Sequence, residues 1–262
     1  MNLDLKHKTA LVGGSTQGIG KAAAIELARL GANVTLLARN EESLKQVKSE
    51  LPNTGQQLHS YLCADYSQPA KLEELVKAFI NRHGPVHILV NNTGGPPSGP
   101  IVSARADEFV QAFSNHLICN HLLAQACIPG MKNAGYGRIV NVISTSVKQA
   151  LPNLGVSNTV RAAVGNWAKT MANELAAFGI TVNNVLPGAT ATQRLSSIVE
   201  GKAAKLNSST EDVKAEMLHE IPMKRFGEAH EIANAIAFLA SPAAAYITGI
   251  NLPVDGGRTT SL

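Results

Sequence analysis

The sequence has few cysteines and few aromatic residues, and its cysteines are not arranged in any known metal or disulfide pattern. Cys63, Cys119 and Cys127 form no C-x-x-C pair and no metal-ligand spacing. An odd, sparse set of cysteines is typical of free thiols in a reducing compartment rather than of a disulfide framework. The sequence therefore predicts neither disulfides nor a metal site.

Long apolar runs and charge clusters are also missing. No stretch approaches the roughly 18 apolar residues that a membrane span needs, and the polar residues 1–8 do not resemble a signal peptide. The formal net charge is +4, but the lysines and arginines are scattered, so no basic patch indicates nucleic-acid binding. We expect a cytoplasmic protein that binds neither nucleic acid nor membranes.

Apolar runs that resemble buried strands alternate with helical patterns along the whole chain. Of the 262 residues, 45% are hydrophobic, which is enough to bury the core of one α/β domain. Near-continuous apolar strands separated by helices predict a doubly wound parallel sheet with helices on both faces. We therefore expect a single Rossmann-type domain over residues 1–262.

The boundaries of these elements follow from the apolar patterns. The predicted strands cover 9–12, 34–38, 58–63, 88–90, 138–143, 181–185 and 250–253. The predicted helices cover 18–30, 41–51, 70–82, 113–132, 156–178 and 228–239, and two weaker helical patterns lie within 193–220.

The first predicted strand runs into a glycine-rich turn, G-G-S-T-Q-G-I-G over residues 13–20, which opens the first helix. Glycines permit a tight turn and let backbone N–H groups approach a pyrophosphate, while the helix N-terminus adds unpaired N–H donors. Between a first strand and a first helix, this pattern indicates a dinucleotide site. The cofactor residues predicted in this turn are Gly14, Ser15, Gln17, Gly18, Ile19 and Gly20.

The second predicted strand ends in Ala38-Arg39-Asn40. Folds that prefer NAD usually place an acidic residue there to bind the ribose 2′-OH, whereas a guanidinium suits a 2′-phosphate. The sequence therefore favours NADP(H) as the cofactor, with NAD(H) as the alternative, and makes Arg39 a cofactor residue.

Further motifs follow in order along the chain. They are Asp65 after the third strand, Asn91-Asn92-Thr93-Gly94 after the fourth, Asn115 in a helix, G-R-I-V-N-V-I-S over 137–144, Pro187-Gly188 with Thr192, and V-D-G-G over 254–257. With these motifs the chain resembles the short-chain dehydrogenase/reductase family over essentially its whole length, and within it the 3-oxoacyl-acyl-carrier-protein reductases. The glycine turn departs from the family by carrying Gly13 in place of a threonine.

The resemblance implies a Rossmann fold with a seven-stranded sheet and a small-molecule carbonyl or alcohol substrate. It also implies a homotetramer, or a homodimer. Asp65 would contact the adenine of the cofactor. The other residues that the resemblance assigns to the cofactor site are Asn91, Gly94, Arg161, Pro187, Gly188 and Thr192.

The catalytic residues depart from the family pattern. The family uses a serine, a tyrosine and a lysine around the carbonyl, with an asparagine that holds a water relay. Ser144 and Asn115 match the serine and the asparagine, but Ser157 and Arg161 stand where the tyrosine and lysine belong. The following residues 162–164 continue the family pattern, and the spacing i, i+4 keeps Ser157 and Arg161 on one helix face.

These two residues change the expected chemistry. Arg161 retains a cation and can bind the nicotinamide ribose, but with a pKa above about 12 it does not relay protons. Ser157 is a much weaker acid than tyrosine, and losing a positioned general acid typically lowers the rate about 10²–10⁴-fold. A bound water or an acidic group of the substrate would then supply the proton. His116, His121 and Lys148 are further candidate donors, whereas Tyr136 precedes a strand at the opposite end of the sheet.

We therefore expect an NADP(H)-dependent oxidoreductase that acts on a carbonyl/alcohol pair or an activated double bond. The alternative is a non-catalytic NADP(H)-binding sensor or partner subunit, which the simultaneous loss of tyrosine and lysine favours. A lyase or isomerase that works without NADP in the same cleft is a third hypothesis. Residues from about 193 to 226 mix apolar residues with lysines and are predicted to form a lid over the substrate, which the sequence does not name.

Overall fold

The structure, a computed structural model, describes residues 1–53 and 55–261. Its centre is a parallel sheet with the strand order β3-β2-β1-β4-β5-β6-β7. The strands are β1 (Thr9–Gly13), β2 (Asn33–Ala38), β3 (Ser60–Cys63), β4 (Ile88–Asn91), β5 (Gly137–Val142), β6 (Ile180–Pro187) and β7 (Asn251–Val254). The strand order reverses between β1 and β4, so a crevice opens at the carboxyl ends of these two strands, where doubly wound folds bind ligands.

Helices cover both faces of this sheet. They are α1 (Gly18–Arg29), α2 (Glu41–Glu50), α3 (Pro69–His83), α4 (Ala106–Phe113), α5 (Cys119–Ala134), α6 (Gly155–Leu175), α7 (Gln193–Leu206), α8 (Thr210–His219) and α9 (Ala229–Ala240). The prediction of a doubly wound Rossmann fold is confirmed.

Alternation along the strands divides the core between the two faces. In β1, Ala10 and Val12 pack into a cluster that includes Leu27 of α1 and Ile236 of α9. Leu11, between them, packs into the opposite cluster with residues of α3, α5 and α6. Because successive side chains of a strand point to opposite faces, an apolar strand of this kind is buried on both sides. This accounts for the near-continuous apolar runs in the sequence.

The predicted helix over 113–132 has a different start and an irregular turn. The helical segment begins at Ala106 with α4, passes through a π-helical turn at Ser114–Ile118, and continues as α5. Its start is stabilised by Glu108, whose carboxylate accepts the backbone N–H of Arg105 at 2.8 Å. The prediction placed this start seven residues too late because the π turn interrupts the 3.6-residue periodicity on which it relied.

A row of asparagine amides crosses four adjacent strands. The Nδ2 of Asn91 donates to Oδ1 of Asn141 at 2.8 Å, Asn141 donates to Asn184 at 2.9 Å, and Asn184 donates to Asn251 at 2.8 Å. The four residues are direct partners in the strand register. We call this row the amide ladder. It satisfies polar groups in the sheet interior that would otherwise be left unpaired.

Replacing Asn141, in the middle of the ladder, is expected to destabilise the protein strongly. Asn141→Leu leaves a donor of Asn91 and an acceptor of Asn184 unpaired in a buried setting, and each such group costs about 1–3 kcal/mol. We expect the free energy of unfolding, measured by urea denaturation, to fall by about 2–4 kcal/mol. The control is Asn251→Leu at the exposed end of the ladder, which removes one hydrogen bond of the row rather than two. Equal losses in the two variants would contradict the prediction.

No helix in the described part of the chain is both long and apolar enough to span a membrane. Cys63, Cys119 and Cys127 are free thiols, Cys63 being exposed and the other two buried. Within residues 1–53 and 55–261, no group of three or more histidine, cysteine or acidic side chains is placed to hold a metal ion.

Candidate active site

The glycine turn between β1 and α1 has the geometry of a phosphate cradle. Gly14 and Gly18 have φ values of +57° and +54°, a region that side chains disfavour. A Cβ on Gly20 would lie 2.2 Å from the carbonyl oxygen of Gly14. Gly20 therefore lets the start of α1 pack directly on the turn, and the first N–H groups of the helix remain available for an anion. These residues fit a dinucleotide pyrophosphate.

Side chains around the turn fix its position. The Oγ of buried Ser15 accepts the backbone N–H of Leu37 at 3.0 Å, which joins the glycine turn to β2. The Nδ2 of Asn92 donates to the carbonyl oxygens of Gly13 and Gly14 at 3.1 and 3.4 Å. Asn92, to which sequence analysis assigned no role, therefore ties the end of β4 to the glycine turn.

Two motif residues have surroundings that the resemblance did not predict. Asn91 is only 1% exposed and its side chain belongs to the amide ladder, so a contact with the cofactor would come from its backbone. A Cβ on Gly13 would lie 2.4 Å from the hydroxyl oxygen of Tyr66. Tyr66 thus occupies the space that a threonine at position 13 would need, which explains the departure from the family motif.

Arg39 and Asp65 lie together at the carboxyl ends of β2 and β3. Arg39 is exposed. The pKa of Asp65 is lowered mainly by the backbone N–H of Ser67, which donates to its carboxylate at 2.9 Å, and also by the charge of Arg39. An exposed guanidinium at this edge suits a 2′-phosphate.

The beginning of the predicted lid lies over the glycine turn. A Cβ on Gly18 would come within 3.3 Å of Cγ2 of Thr192, the residue that precedes α7. Gly188 packs closely on Asp255, whose carboxylate accepts backbone N–H groups of Gly257 and Thr259 at 3.0 and 2.7 Å. The Pro187-Gly188 motif, Thr192 and the C-terminal motif are therefore brought to the same crevice as the glycines.

Ser144 lies beyond the end of β5 with its hydroxyl hydrogen available. Its Oγ accepts the backbone N–H of Ser146 at 3.1 Å and so caps a short 3₁₀ turn over Thr145–Val147. A hydroxyl has one hydrogen to donate and two lone pairs. Accepting from Ser146 fixes the oxygen and leaves the O–H free to point at a substrate oxygen.

Arg161 on α6 is anchored just behind Ser144. Its side chain is buried, with 8% of the residue exposed, and Nη1 donates to the carbonyl oxygen of Val142 at 2.9 Å. Burial, and then the charge of Arg194, lower the pKa of Arg161 to about 10. The group therefore remains a cation at neutral pH. Ser157, one turn earlier on the same helix face, is half-buried.

His116, in the π-helical turn, lies near Arg161. The Oδ1 of Asn115 accepts from Nε2 of Gln111 at 2.8 Å on an exposed side of the helix. His116 is 2% exposed, and its pKa is lowered to about 2 by burial and by the nearby charge of Arg161, with the backbone of Gly94 acting in the opposite direction. The role predicted for Asn115 stays a prediction, and the geometry favours His116 for a place beside the cation.

Comparisons with known proteins identify the family of the chain. The family described as Enoyl-(Acyl carrier protein) reductase matches residues 14–259. The 3-oxoacyl-(acyl-carrier-protein) reductase of Vibrio cholerae is 34% identical over 257 residues, which cover 97% of this chain and 98% of that protein. The chain belongs to the short-chain dehydrogenase/reductase family.

Solved structures of the family superpose on the whole chain. The L-sorbose reductase from Gluconobacter frateurii, complexed with NADPH and L-sorbose, is 28% identical with a TM-score of 0.92 and full coverage of both chains. YwfH, an NADPH dependent reductase involved in bacilysin biosynthesis, is 29% identical with a TM-score of 0.91, covering 97% of this chain and 99% of YwfH.

Two tyrosines of this dehydrogenase/reductase donate hydrogen bonds to groups other than the serine. The hydroxyls of Tyr61 and Tyr136 donate to Glu41 and to the backbone of Ala240, at 3.1 and 2.6 Å. Tyr66 is buried under Gly13, and Tyr246 is fully exposed. Among the hydrogen bonds of the described residues, none joins a tyrosine to Ser144. Tyr136 precedes β5, at the opposite end of the sheet, as expected.

The remaining candidate donors differ in their surroundings. His121 accepts a hydrogen bond from Nε1 of Trp167 at 3.3 Å, between α5 and α6, and so serves packing. Lys148 is half-buried at the end of the 3₁₀ turn that Ser144 caps. Neither is joined by a hydrogen bond to Ser144 or Arg161 in the part of the chain that the structure describes.

The Gly-Pro-rich loop 94–100 forms a wall of the site. The N–H of Gly99 donates to Asn153 at 2.8 Å and the N–H of Gly155 donates to Gly99 at 3.3 Å, which fixes the loop to the start of α6. On its other side, Nη2 of Arg194 donates to the carbonyl oxygen of Pro96 at 2.7 Å. Sequence reasoning missed Arg194 because the family motif stops two residues earlier, at Thr192.

Proposed function

We propose that this member of the family is an NADP(H)-dependent oxidoreductase that acts on a carbonyl/alcohol pair or an activated double bond, with Ser157 and Arg161 in place of the usual tyrosine and lysine. The observation that carries the proposal is the position of Arg161. A buried cation is anchored to Val142, two residues before Ser144, on the helix face that also bears Ser157. This arrangement keeps a positive charge and a hydroxyl donor at one end of the sheet.

Several residues support NADP(H) as the cofactor. The cradle at Gly14, Gly18 and Gly20 fits a pyrophosphate, and Arg39 is exposed beside Asp65, where a 2′-phosphate would be bound. Structural relatives of the family contain or use NADPH. When bound, this cofactor supplies the hydride that reduces a carbonyl carbon or an activated double bond.

The protein's own groups would orient the substrate and supply charge and a proton. Ser144 donates its O–H to the carbonyl oxygen, and the positive charge of Arg161 stabilises negative charge that develops there. Arg161 keeps its proton at neutral pH because its pKa remains at about 10. The proton therefore comes from a water held by the Ser157 hydroxyl and by the neutral imidazole of His116.

The other parts of the proposal follow the family. Helices α7 and α8, within the segment 193–226, form the lid of one undivided domain. The protein assembles as a homotetramer, or a homodimer, in the cytoplasm and takes a small-molecule substrate. Asn115 remains a candidate holder of the water relay, alongside His116.

Removing the Ser144 hydroxyl tests this proposal. Isothermal titration with NADPH and NADH, followed by stopped-flow oxidation of bound NADPH against a carbonyl panel, measures binding and turnover separately. We expect NADPH to bind more tightly than NADH. We expect Ser144→Ala to lower turnover about 10²–10³-fold, as removing an oxyanion donor does, with little change in NADPH affinity. Ser197→Ala, on the exposed side of α7, is the control, and turnover that is unchanged in Ser144→Ala would refute the role of Ser144.

The second candidate function is a non-catalytic NADP(H)-binding sensor or partner subunit. The observation in its favour is that the hydroxyls of Tyr61 and Tyr136 are hydrogen-bonded elsewhere and that Tyr66 is buried under Gly13. The double variant Ser157→Tyr/Arg161→Lys separates the two functions. NADPH binding without turnover in the wild type, with activity only in the double variant, would support the non-catalytic protein. Failure to bind either nicotinamide cofactor would support a lyase or isomerase instead.

A further inference from the structure

The candidate site contains two arginines that no acidic side chain neutralises. Ion pairs in the described part of the chain engage neither Arg161 nor Arg194. The groups that act on the pKa of Arg161 include no carboxylate. A buried cation that lacks a counter-charge is unfavourable, and a second cation close to it adds repulsion.

The two guanidinium groups come from different elements of the fold. Arg161 comes from α6, and its Nε is buried without a hydrogen-bond partner among the described residues. Arg194 comes from the first turn of the lid helix α7 and reaches the loop at Gly95 and Pro96. It is exposed, and only one of its five N–H donors is used by Pro96. The lid, the loop and α6 therefore bring two positive charges close enough to repel each other.

The other polar groups that we assign to this part of the site carry no charge that would balance the two arginines. Ser144 and Ser157 are neutral hydroxyls, and His116 is held in its neutral form because burial and Arg161 disfavour a further positive charge. An anionic group of a ligand would supply the missing counter-charge, and Arg binds planar carboxylates through two parallel N–H···O bonds.

From these contacts we propose that the substrate carries a carboxylate, so that the protein acts on an oxo acid or the corresponding hydroxy acid, with Arg194 as the direct carboxylate contact and Arg161 as the second positive charge. This inference deepens the proposed function and rests on it for the reaction, but not for the binding of the anion. Arg194 is a specificity-determining residue in this arrangement. The competing source of the anion is a phosphate of the cofactor, and the experiment below distinguishes the two.

The experiment compares matched acids and esters with the protein loaded with NADP⁺. Pyruvate, acetoacetate and levulinate, each beside its methyl ester, are titrated calorimetrically into wild type, Arg194→Gln, Arg194→Lys and Lys205→Gln. Lys205 is an exposed residue of the same helix and controls for loss of a positive charge. The affinity of each variant for NADPH is measured in parallel.

We expect at least one acid to bind the wild type about 10- to 100-fold more tightly than its ester, the range expected for hydrogen bonds to a charged group. Arg194→Gln should abolish this preference and leave ester binding and NADPH affinity unchanged. Arg194→Lys should restore part of it, and Lys205→Gln should behave as wild type. Acids that bind no better than esters across the panel, including no detectable binding of either, would overturn the proposal. Weaker NADPH binding in Arg194→Gln with no effect on the acids would assign Arg194 to the cofactor phosphates instead.

Failure of this inference and failure of the proposed function give different results. An acid that binds through Arg194 but is never reduced would support the carboxylate site and refute the proposed oxidoreductase activity. Reduction of neutral carbonyls with no preference for acids would support the oxidoreductase activity and refute the carboxylate site.

Discussion

Gly20→Ala is expected to abolish measurable NADPH binding and to lower the free energy of unfolding by about 3 kcal/mol, the upper range for overpacking. The new Cβ would lie 2.2 Å from the carbonyl oxygen of Gly14 and 2.7 Å from Nδ2 of Asn92. The first of these is a backbone atom of the phosphate cradle, so the start of α1 or the cradle itself must move. NADPH affinity by calorimetry and stability by urea denaturation measure the two effects.

Gly201→Ala is the matched control for this variant. Gly201 also lies in a helix, α7, and a Cβ there meets nothing within 4 Å among the described residues. Alanine favours a helix interior by about 1 kcal/mol over glycine, so the control should be slightly stabilised and bind NADPH normally. Normal cofactor affinity in Gly20→Ala would show that the close packing of α1 on the turn is not required for binding.

His116→Asn is expected to make the protein markedly more resistant to acid. Burial, and then the charge of Arg161, lower the pKa of His116 to about 2 in the folded protein, compared with about 6.5 in an unfolded chain. Between these two pKa values, His116 is therefore protonated in the unfolded chain and neutral in the folded protein. The stabilising contribution of the neutral imidazole is fully present above pH 6.5 and is lost progressively as the pH falls below it.

The size of this effect is measurable between pH 7 and pH 5. At pH 5 the loss from His116 amounts to about 2 kcal/mol, and urea denaturation over this range should show a correspondingly steeper decline for wild type than for His116→Asn. His59 and His87, whose pKa values burial also lowers, contribute to both proteins alike. Asn115→Ala, in the same π turn, carries no proton and should follow wild type. Parallel pH curves for wild type and His116→Asn would mean that the imidazole is accessible to protons in the folded state.

Most of the fold could be predicted because its periodicities are simple. Apolar strands that alternate with helices specify a doubly wound sheet, and the observed strand boundaries differ from the predicted ones by at most two residues. The early start of α4 was missed because a π turn follows it. Such a turn accommodates one extra residue, and each residue of a helix rotates the side-chain direction by about 100°.

Contacts between distant segments account for what was missed in the site. Sequence analysis named both Asn115 and His116, and the structure brings His116 near Arg161. Tyr66 beneath Gly13 and Arg194 against Pro96 are contacts between segments that are distant in the chain, and no local pattern reports them. The sequence could therefore identify the crevice and most of its backbone, but not which neighbouring side chains set its charge.

The amide ladder has a direction. Asn91, Asn141 and Asn184 each donate an N–H toward β7, and Asn141, Asn184 and Asn251 each accept from the side of β4, so the amides of the row are oriented the same way across the sheet. If the amide N and O of Asn141 or Asn184 exchanged places, its NH₂ would face the NH₂ of one neighbour and its oxygen would face the oxygen of the other. A change of orientation therefore has to include the whole row. Polarisation along such a chain strengthens each member. Replacing any one of the four asparagines therefore removes a hydrogen bond that fixes the orientation of its neighbour.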